Sequence, residues 1–321
     1  MTRNALLGAA AGLVVVMAAT HLFLSVVAGT VLHASYPHRM FDIRRWPVDL
    51  TPALTTEMVA MFLGGRVHNG SGTVFYGSSF TYGYPWQQSV VMSQQYRILR
   101  PQEDVLNVSV LGATMTRLDN GILCGARNAG TRTRTAIVEL PVINTVSTMA
   151  AEYANNAAPP APCDAALGPR RYSGFAMRHP LGIGWAPFIW DDKAFPKSDE
   201  NLVLAEVPPG YFTKADVFAK LEAEFRARIT SVVRAAAGVA DRVFVYPSPV
   251  FLTGAAEIGE DAGAIRAQLD AAVDACRSVA GVVCLDPQNF YTQREAFYNM
   301  THLNQRGHQA MAEWFASQIA P

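Results

Sequence analysis

The hydrophobic positions of the chain form short apolar runs that alternate with longer amphipathic segments. Apolar residues at helical spacing predict a crossover helix at Gln87–Leu99 and a last helix at Gln305–Ile319. The short runs are rich in β-branched residues and end near Gly, Pro, Asn or Asp. They predict strands at Thr73–Tyr76, Val105–Val110, Thr135–Leu140, Arg242–Tyr246 and Val282–Leu285. This alternation is typical of an α/β domain with a central parallel sheet.

The first apolar segment differs from the others in its length. From Ala5 to Leu32 the chain carries no charged residue and one polar ring, that of His21. As a helix, this segment is long enough to cross a hydrocarbon core of about 30 Å. A cleaved signal peptide is the alternative, because the small residues at Ala28-Gly29-Thr30 and Ala34-Ser35 offer cleavage sites. We predict a membrane anchor at residues 1–35, a juxtamembrane stalk at 36–70 and an α/β domain at 71–321.

Two segments exceed what a minimal sheet needs. Residues 119–134 contain Asn120-Gly121 and Gly130, which predict a hairpin. Residues 148–211 are rich in Ala, Pro and Gly and carry Trp185 and Trp190. A structureless stretch of that length is uncommon in a compact domain unless it works as a lid or binding surface. We therefore expect it to be an insertion that flanks the functional site.

Composition and cysteine content narrow the class of protein. Half of the 321 residues are apolar and the formal net charge is zero, so the chain lacks the basic excess of a nucleic-acid-binding protein. Cys276 and Cys284 are close enough in sequence for a local disulfide, with Cys124–Cys163 as the remaining pair. Four buried thiols are the alternative. No cluster of Cys and His predicts a metal, and no motif predicts a cofactor.

Candidate catalytic groups follow three predicted strands and precede the last helix. Ser79 lies in the turn after the first strand, Gly112 follows the second and Asn144 follows the third. Ligands of open parallel sheets bind at the carboxyl ends of strands. His302 lies just before the last helix, and imidazole serves as base and then as acid near neutral pH. His308 lies within the helix pattern, where a packed or capping role is expected.

These four segments, in this order, resemble those of the SGNH/GDSL hydrolase superfamily. The final motif, His302-Leu303-Asn304-x-x-Gly307-His308, is the most specific of them. The resemblance implies a flavodoxin-like three-layer sandwich with a central parallel sheet. It also implies that Ser79 is the nucleophile and His302 the base. The Ser79 and Gly112 N–H groups, with Asn144, would then form the oxyanion hole.

The chain departs from the superfamily pattern at three positions. Ser78 stands where the first block usually has Asp, and Val142 stands where the third block usually has Gly. Asn299 occupies the place of the acid, three residues before His302. Its carbonyl can accept a hydrogen bond from the imidazole, but it carries no charge. Asp286, at the end of the preceding strand, is a second candidate for the acid, and a Ser–His dyad without an acid is the third.

The resemblance implies ester chemistry by way of an acyl-enzyme. The Gly-Ser-Ser turn at 77–79 and the N-terminal anchor resemble the SGNH-type partners of membrane-bound O-acyltransferases. We therefore expect an esterase or O-acyltransferase acting on acyl, above all acetyl, esters of a cell-envelope glycan. Such a protein would be membrane-anchored, with its domain in the periplasm or outside the cell. The alternatives are an inactive SGNH-fold glycan-binding or assembly protein and a membrane-tethered lipase or lysophospholipase.

Overall fold

The computed structural model describes residues 12–16, 18–19, 72–83, 90–110, 112–130, 132–156, 163, 210 and 213–319. Residues 12–16 and 18–19 are helical, and their side chains are exposed. Within the described ranges, no helix has both the length and the hydropathy of a membrane span. The predicted stalk at 36–70, and most of the predicted anchor and of the 148–211 insertion, lie outside the described residues.

A five-stranded parallel sheet forms the centre of the domain, as the apolar runs predict. Its strands stand in the order β2-β1-β3-β4-β5, so that β1 and β3 are neighbours. This is the order of flavodoxin-like folds. The strands are β1 (Thr73–Gly77), β2 (Val105–Ser109), β3 (Thr133–Leu140), β4 (Ala240–Pro247) and β5 (Val283–Cys284).

Helices cover both faces of the sheet. They are α1 (Ser79–Tyr82), α2 (Met92–Leu99), α3 (Met115–Arg117), α4 (Cys124–Asn128), α5 (Val142–Ala154), α6 (Ala215–Ala237), α7 (Leu252–Glu257), α8 (Ala262–Arg277) and α9 (Gln305–Gln318). A π-helix, Leu118–Leu123, joins α3 to α4. Short 3-10 turns at Gln288–Phe290 and Arg294–Ala296 lead into an antiparallel ribbon, β6 (Phe297–Asn299) and β7 (His302–Leu303).

Alternate residues of the strands supply two separate hydrophobic cores. Phe75 packs into one core with Phe315 of α9, and their rings meet edge to face at 5.9 Å. Its neighbours in β1, Val74 and Tyr76, lie in the other core with residues of α6 and α8. Because successive side chains of a strand point to opposite faces, the two cores lie on opposite sides of the sheet. The domain is therefore a three-layer α/β sandwich.

The hairpin predicted at 119–134 is wrong. The chain is helical from Met115 to Asn128, and β3 begins at Thr133. Leu118 and Ile122 are fully buried at helical spacing, and their burial outweighs the turn preference of the Asn-Gly pair. Helix α5 also extends as far as Ala154, so the first residues of the 148–211 segment belong to a core helix.

Both predicted disulfides are present, which excludes the alternative of four thiols. Cys276–Cys284 joins the end of α8 to β5 across a Cα–Cα distance of 6.0 Å. Cys124–Cys163 joins α4 to a distant residue, with a Cα–Cα distance of 5.5 Å. The second bridge closes the longer loop and so restrains the unfolded chain more strongly.

The start of α9 is fixed by two residues of the final motif. Asn304 caps the helix, because its Oδ1 accepts a hydrogen bond from the Gly307 N–H at 2.9 Å. Its Nδ2 donates to the carbonyl oxygen of Glu295 at 2.8 Å. Gly307 packs so closely on the preceding turn that a Cβ would overlap the carbonyl oxygen of Ala296. These contacts set the position of His302, two residues before the cap.

We expect Gly307→Ala to lower the free energy of unfolding by about 3 kcal/mol, because the added methyl group meets rigid backbone. Gly263→Ala is the matched control, since Gly263 also lies in a first helical turn but faces only the Asp261 side chain at 3.2 Å. That control should be as stable as the wild type or more so. Equilibrium denaturation of the full-length proteins measures both. Equal stability of the two variants would contradict the packing argument.

Candidate active site

A small cavity lies where the strand order reverses, between the carboxyl ends of β1 and β3. Such reversal points are where open α/β sheets bind ligands. The cavity has room for about 30 Å³. Its described lining comprises Ser78, Ser79, Phe80, Pro141, Ile143, Asn144, Ser248, Pro249, Val250, Thr301 and His302. Residues from the turn after β1, the start of α5, the end of β4 and the β6–β7 turn therefore meet at one place.

Ser79 and His302 are in direct contact in this cavity. The Oγ of Ser79 lies 2.9 Å from Nε2 of His302, although 223 positions separate them in the chain. Ser79 is the first residue of α1 and is half-buried. His302 opens β7 and is also half-buried. The pair has the geometry of a nucleophile and its general base.

Asn299 holds the other side of the imidazole. Its Oδ1 lies 3.0 Å from Nδ1 of His302 and also accepts the backbone N–H groups of Thr301, at 3.0 Å, and of His302, at 2.9 Å. Backbone N–H groups only donate, so the oxygen of the amide, not its nitrogen, must face them. The same oxygen then accepts from Nδ1–H of the imidazole. This leaves Nε2 unprotonated and able to accept the Ser79 proton.

The Asp286 side chain contacts residues other than His302. Its carboxylate accepts hydrogen bonds from the Tyr291 hydroxyl at 3.0 Å and from Nε2 of Gln288 at 2.6 Å, and it pairs with Arg266 at 3.3 Å. Burial and this carboxylate together raise the pKa of Tyr291. The structure contradicts the placement of Asp286 beside His302. Although Asp286 follows β5, partners from α8 and the adjoining 3-10 turn hold its side chain.

The predicted oxyanion donors are only partly brought together. Asn144 lines the cavity with Ser79, and its Nδ2 lies 3.4 Å from the carbonyl oxygen of Ala113. Gly112 precedes Ala113 in the turn after β2, with φ at +68°, a conformation that favours glycine. Gly112 is not among the described residues that line the cavity. The long Asn144–Ala113 contact leaves the amide able to turn toward a substrate oxygen.

The imidazole is neutral over most of the physiological range. Burial lowers the pKa of His302 to about 4, because the protonated ring loses solvation in the cavity. Asn299 contributes no charge to offset this loss. His308, the other histidine of the motif, is buried with its ring 6.5 Å from that of Phe80, consistent with the packed role expected for it.

Glu139, for which the sequence pattern predicts no role, contacts the turn that carries Ser79. This side chain is fully buried in β3 and accepts five hydrogen bonds. Its donors are the N–H and hydroxyl of Ser78, the N–H and hydroxyl of Thr81, and the hydroxyl of Ser248. The sequence does contain an indication of this role, because a Glu within an apolar strand is rarely buried unless other groups hydrogen-bond to its carboxylate.

The close approach of this carboxylate explains why a glycine ends β1. A Cβ on Gly77 would overlap both the Glu139 carboxylate and the Thr81 hydroxyl. Tyr246 completes the cluster, with its hydroxyl 2.7 Å from that of Thr81. Burial and the Glu139 carboxylate raise the pKa of Tyr246 well above its ordinary value, so its hydroxyl stays protonated. The turn that carries Ser79 thus rests on a buried polar cluster.

Comparison with known proteins gives a likeness of fold. No protein-family model and no curated protein matches the chain. One similar solved structure is of a protein assigned to the lipolytic G-D-S-L family from Desulfitobacterium hafniense DCB-2. It has 12% identity and a TM-score of 0.42, and the match covers 78% of this chain and all of that one.

A second similar structure is an acetylxylan esterase from Geobacillus stearothermophilus, with 10% identity, a TM-score of 0.40, and coverage of 79% of this chain and 95% of that one. A third is a hydrolase from the metagenome of Lake Arreo, with 16% identity, a TM-score of 0.41, and coverage of 78% and 95%. At these identities and scores, the likenesses assign neither a family nor an activity to the chain.

We expect Asn299→Asp to raise the pKa of His302 by about 2, because a carboxylate replaces the amide oxygen 3.0 Å from Nδ1. NMR titration of the histidine Cε1–H signals measures this, and a His302→Gln spectrum identifies the signal. Asn155→Asp, which adds the same charge at an exposed position, should leave the pKa where it is. An unchanged His302 pKa in Asn299→Asp would contradict the contact.

Proposed function

We propose that the protein is an SGNH-type serine esterase or O-acyltransferase that works through an acyl-enzyme on Ser79. The observation that carries the proposal is the 2.9 Å contact between the Ser79 hydroxyl and Nε2 of His302. The hydrogen bond from Nδ1 to Asn299 supports it, because this bond selects the tautomer that a general base needs. The position of the pair at the reversal point of the sheet is a further support.

In this mechanism, Ser79 Oγ attacks the acyl carbonyl carbon while its proton passes to Nε2 of His302. The resulting oxyanion accepts hydrogen bonds from the Ser79 N–H and the Asn144 amide, with Gly112 as the third expected donor. His302 then gives its proton to the departing alcohol oxygen as the carbon–oxygen bond breaks. Water or a sugar hydroxyl attacks the acyl-enzyme and loses its proton to His302, which returns it to Ser79.

Asn299 acts by orientation rather than by charge. In serine proteases, the change of the triad Asp to Asn costs about 10⁴ in turnover because the wrong tautomer results. Here the oxygen of Asn299 is held toward Nδ1 by two backbone N–H groups, which preserves the useful tautomer. The loss is then limited to the absence of a carboxylate beside the imidazolium. A Ser–His–Asn arrangement is the form of triad that this geometry supports.

The cavity walls bear on the choice of acyl group. Near Ser79 they include Pro141, Ile143 and Val250, whose apolar side chains can contact the methyl group of an acetyl ester. We propose an acetylated cell-envelope glycan as the substrate, with a membrane-bound O-acyltransferase as a partner. This choice extends the resemblance of the Gly-Ser-Ser turn and the N-terminal segment to such partner proteins.

We expect a fluorophosphonate probe to label the wild type on Ser79 and to fail with Ser79→Ala. His302→Gln should label at least about 10³-fold more slowly, since the proton acceptor is lost. The wild-type rate should be constant above about pH 5 and fall about tenfold per pH unit below pH 4, because only neutral His302, whose pKa is about 4, accepts the proton. Ser231→Ala, a serine on α6 bonded to Asp119, is the control and should label normally.

Esters of increasing chain length, tested on the same proteins, separate the alternatives. Turnover of acetyl esters and acetylated polysaccharide, but not of long-chain esters, supports the proposed substrate class. A preference for long chains favours the membrane-tethered lipase or lysophospholipase. A folded wild type that neither labels nor turns over any ester overturns the proposal and favours a binding or assembly protein.

We also propose that residues 1–35 anchor the protein in a membrane, with the domain outside the cytoplasm. The support is the uncharged stretch from Ala5 to Leu32, together with two disulfides, which persist in oxidising compartments. The protein should resist alkaline extraction from membranes, and its domain should be digested by protease added to intact spheroplasts. Protection of the domain from that protease would contradict this orientation, and a soluble form lacking the first 35 residues would show a cleaved signal peptide.

A further inference from the structure

Glu139 is a buried carboxylate that the mechanism above does not use. It is fully buried, and its five hydrogen-bond donors come from two separate segments of the chain, the turn that carries Ser79 and the residue after β4. Within the part of the chain that the structure describes, no Lys or Arg pairs with it. A carboxylate buried without a cation is costly unless hydrogen bonds replace its water. Two of the donors are backbone N–H groups, which cannot accept, so the side chain must present an accepting oxygen to them.

The carboxylate of Glu139 binds the residue that directly precedes the nucleophile. The N–H of Ser78 donates to Oε2 at 2.8 Å, and the Ser78 hydroxyl donates to Oε1. Thr81, one residue after Phe80 in the same short helix, donates its N–H at 3.0 Å and also its hydroxyl. The two anchored residues bracket Ser79, so the backbone on both sides of the nucleophile is tied to one group.

The second donor segment, at Ser248, connects the carboxylate to the opposite wall of the cavity. The Ser248 hydroxyl, at the end of β4, lies 2.7 Å from Oε1 of Glu139 and 3.1 Å from the carbonyl oxygen of Leu140. Ser248 and Ser78 both line the cavity that holds Ser79. Glu139 therefore fixes the ends of β1, β3 and β4 relative to each other, which sets the distance across the cavity.

We propose that Glu139 is a positioning residue for the Ser79 nucleophile, an inference that rests on the proposed function. It holds the turn that aims Ser79 Oγ at His302 Nε2, and it does so without touching substrate. Reactive groups misplaced by about 1 Å lose about 10²-fold in rate. The position requires a carboxylate, because both of its oxygens accept hydrogen bonds. An amide has one accepting oxygen, and its NH2 group would face the donors of the turn.

Because Ser78 contacts Glu139, the carboxylate can be moved from position 139 to position 78 by two substitutions, and this exchange tests the proposal. Ser78→Asp alone sets two carboxylates against each other in a buried site, which should impair labelling. Glu139→Gln alone should lower the fluorophosphonate labelling rate by about 100-fold. The Ser78→Asp/Glu139→Gln double variant has one carboxylate again, facing an amide that can donate to it. We expect its labelling rate to recover to within about tenfold of the wild type.

Glu260→Gln is the matched control for the loss of a buried carboxylate. Glu260 is 5% exposed and accepts the N–H of Thr213, at 3.0 Å, and the Thr213 hydroxyl, but it does not line the cavity. This variant should lose thermal stability and yet label at the wild-type rate per folded molecule. The pH at which labelling declines should also be the same in Glu139→Gln as in the wild type, because the change affects position and not the pKa of His302.

Thr81 provides a second, milder route if Glu139→Gln does not fold. Thr81→Val removes one hydroxyl donor to the carboxylate and should slow labelling, whereas Thr81→Ser keeps the hydroxyl and should not. The proposal is overturned if Glu139→Gln labels at the wild-type rate, if the double variant shows no recovery, or if the two Thr81 variants behave alike. A wild type that never labels overturns the proposed function instead, so the two failures are distinguishable.

Discussion

The strand order places the carboxyl ends of β1, β3 and β4 side by side, and a single buried carboxylate, Glu139, occupies the point where they meet. Much of the site follows from this contact. Gly77 must lack a side chain because the carboxylate lies against it. Ser78 and Thr81 turn their hydroxyls inward to Glu139, which leaves the intervening Ser79 to face the cavity. In the SGNH/GDSL superfamily, which the sequence resembles, an Asp usually precedes the nucleophile. In this chain Ser78 stands there instead, and its hydroxyl donates a hydrogen bond to Glu139 on another strand.

The second half of the site is built locally, within the β6–β7 turn. The Oδ1 of Asn299 accepts hydrogen bonds from the N–H groups of Thr301 and His302 and also contacts the imidazole, so a single turn orients the base. Asn304 and Gly307 then tie this turn to α9, which packs with α2 against the face of the sheet. The base is thus fixed by residues of its own turn, whereas the turn of the nucleophile is fixed by Glu139, 61 positions from Ser78. The sheet and its covering helices bring the two halves together across 223 positions.

The sequence predicts the strands well because both faces of a parallel sheet are buried, and continuous apolar runs such as Ala136–Val138 in β3 indicate that burial. Ser79 and His302 could be predicted because Ser79 follows a strand and His302 precedes the last helix, each within a recognisable motif. Prediction from the sequence pattern fails where the type of a residue does not determine which groups it contacts in the fold. Asn120-Gly121 has the composition of a turn but lies inside a π-helix, and Asp286 follows a strand but binds Arg266 and Tyr291. The role of Glu139 does not follow from the sequence, because its donors lie in two segments far from it along the chain, at Ser78 and Thr81 and at Ser248.

Asn299 orients the base, whereas Glu139 holds the turn of the nucleophile. Orientation comes from the neutral amide of Asn299, and the buried carboxylate of Glu139 holds the turn of the nucleophile, so neither residue places a negative charge in hydrogen-bond contact with the imidazole. A base whose pKa is about 4 takes the serine proton less readily than an ordinary imidazole, and its conjugate acid returns that proton more readily. This balance handicaps the first attack on an unactivated ester and assists protonation of the departing oxygen. The handicap is smaller when the acyl donor is already activated.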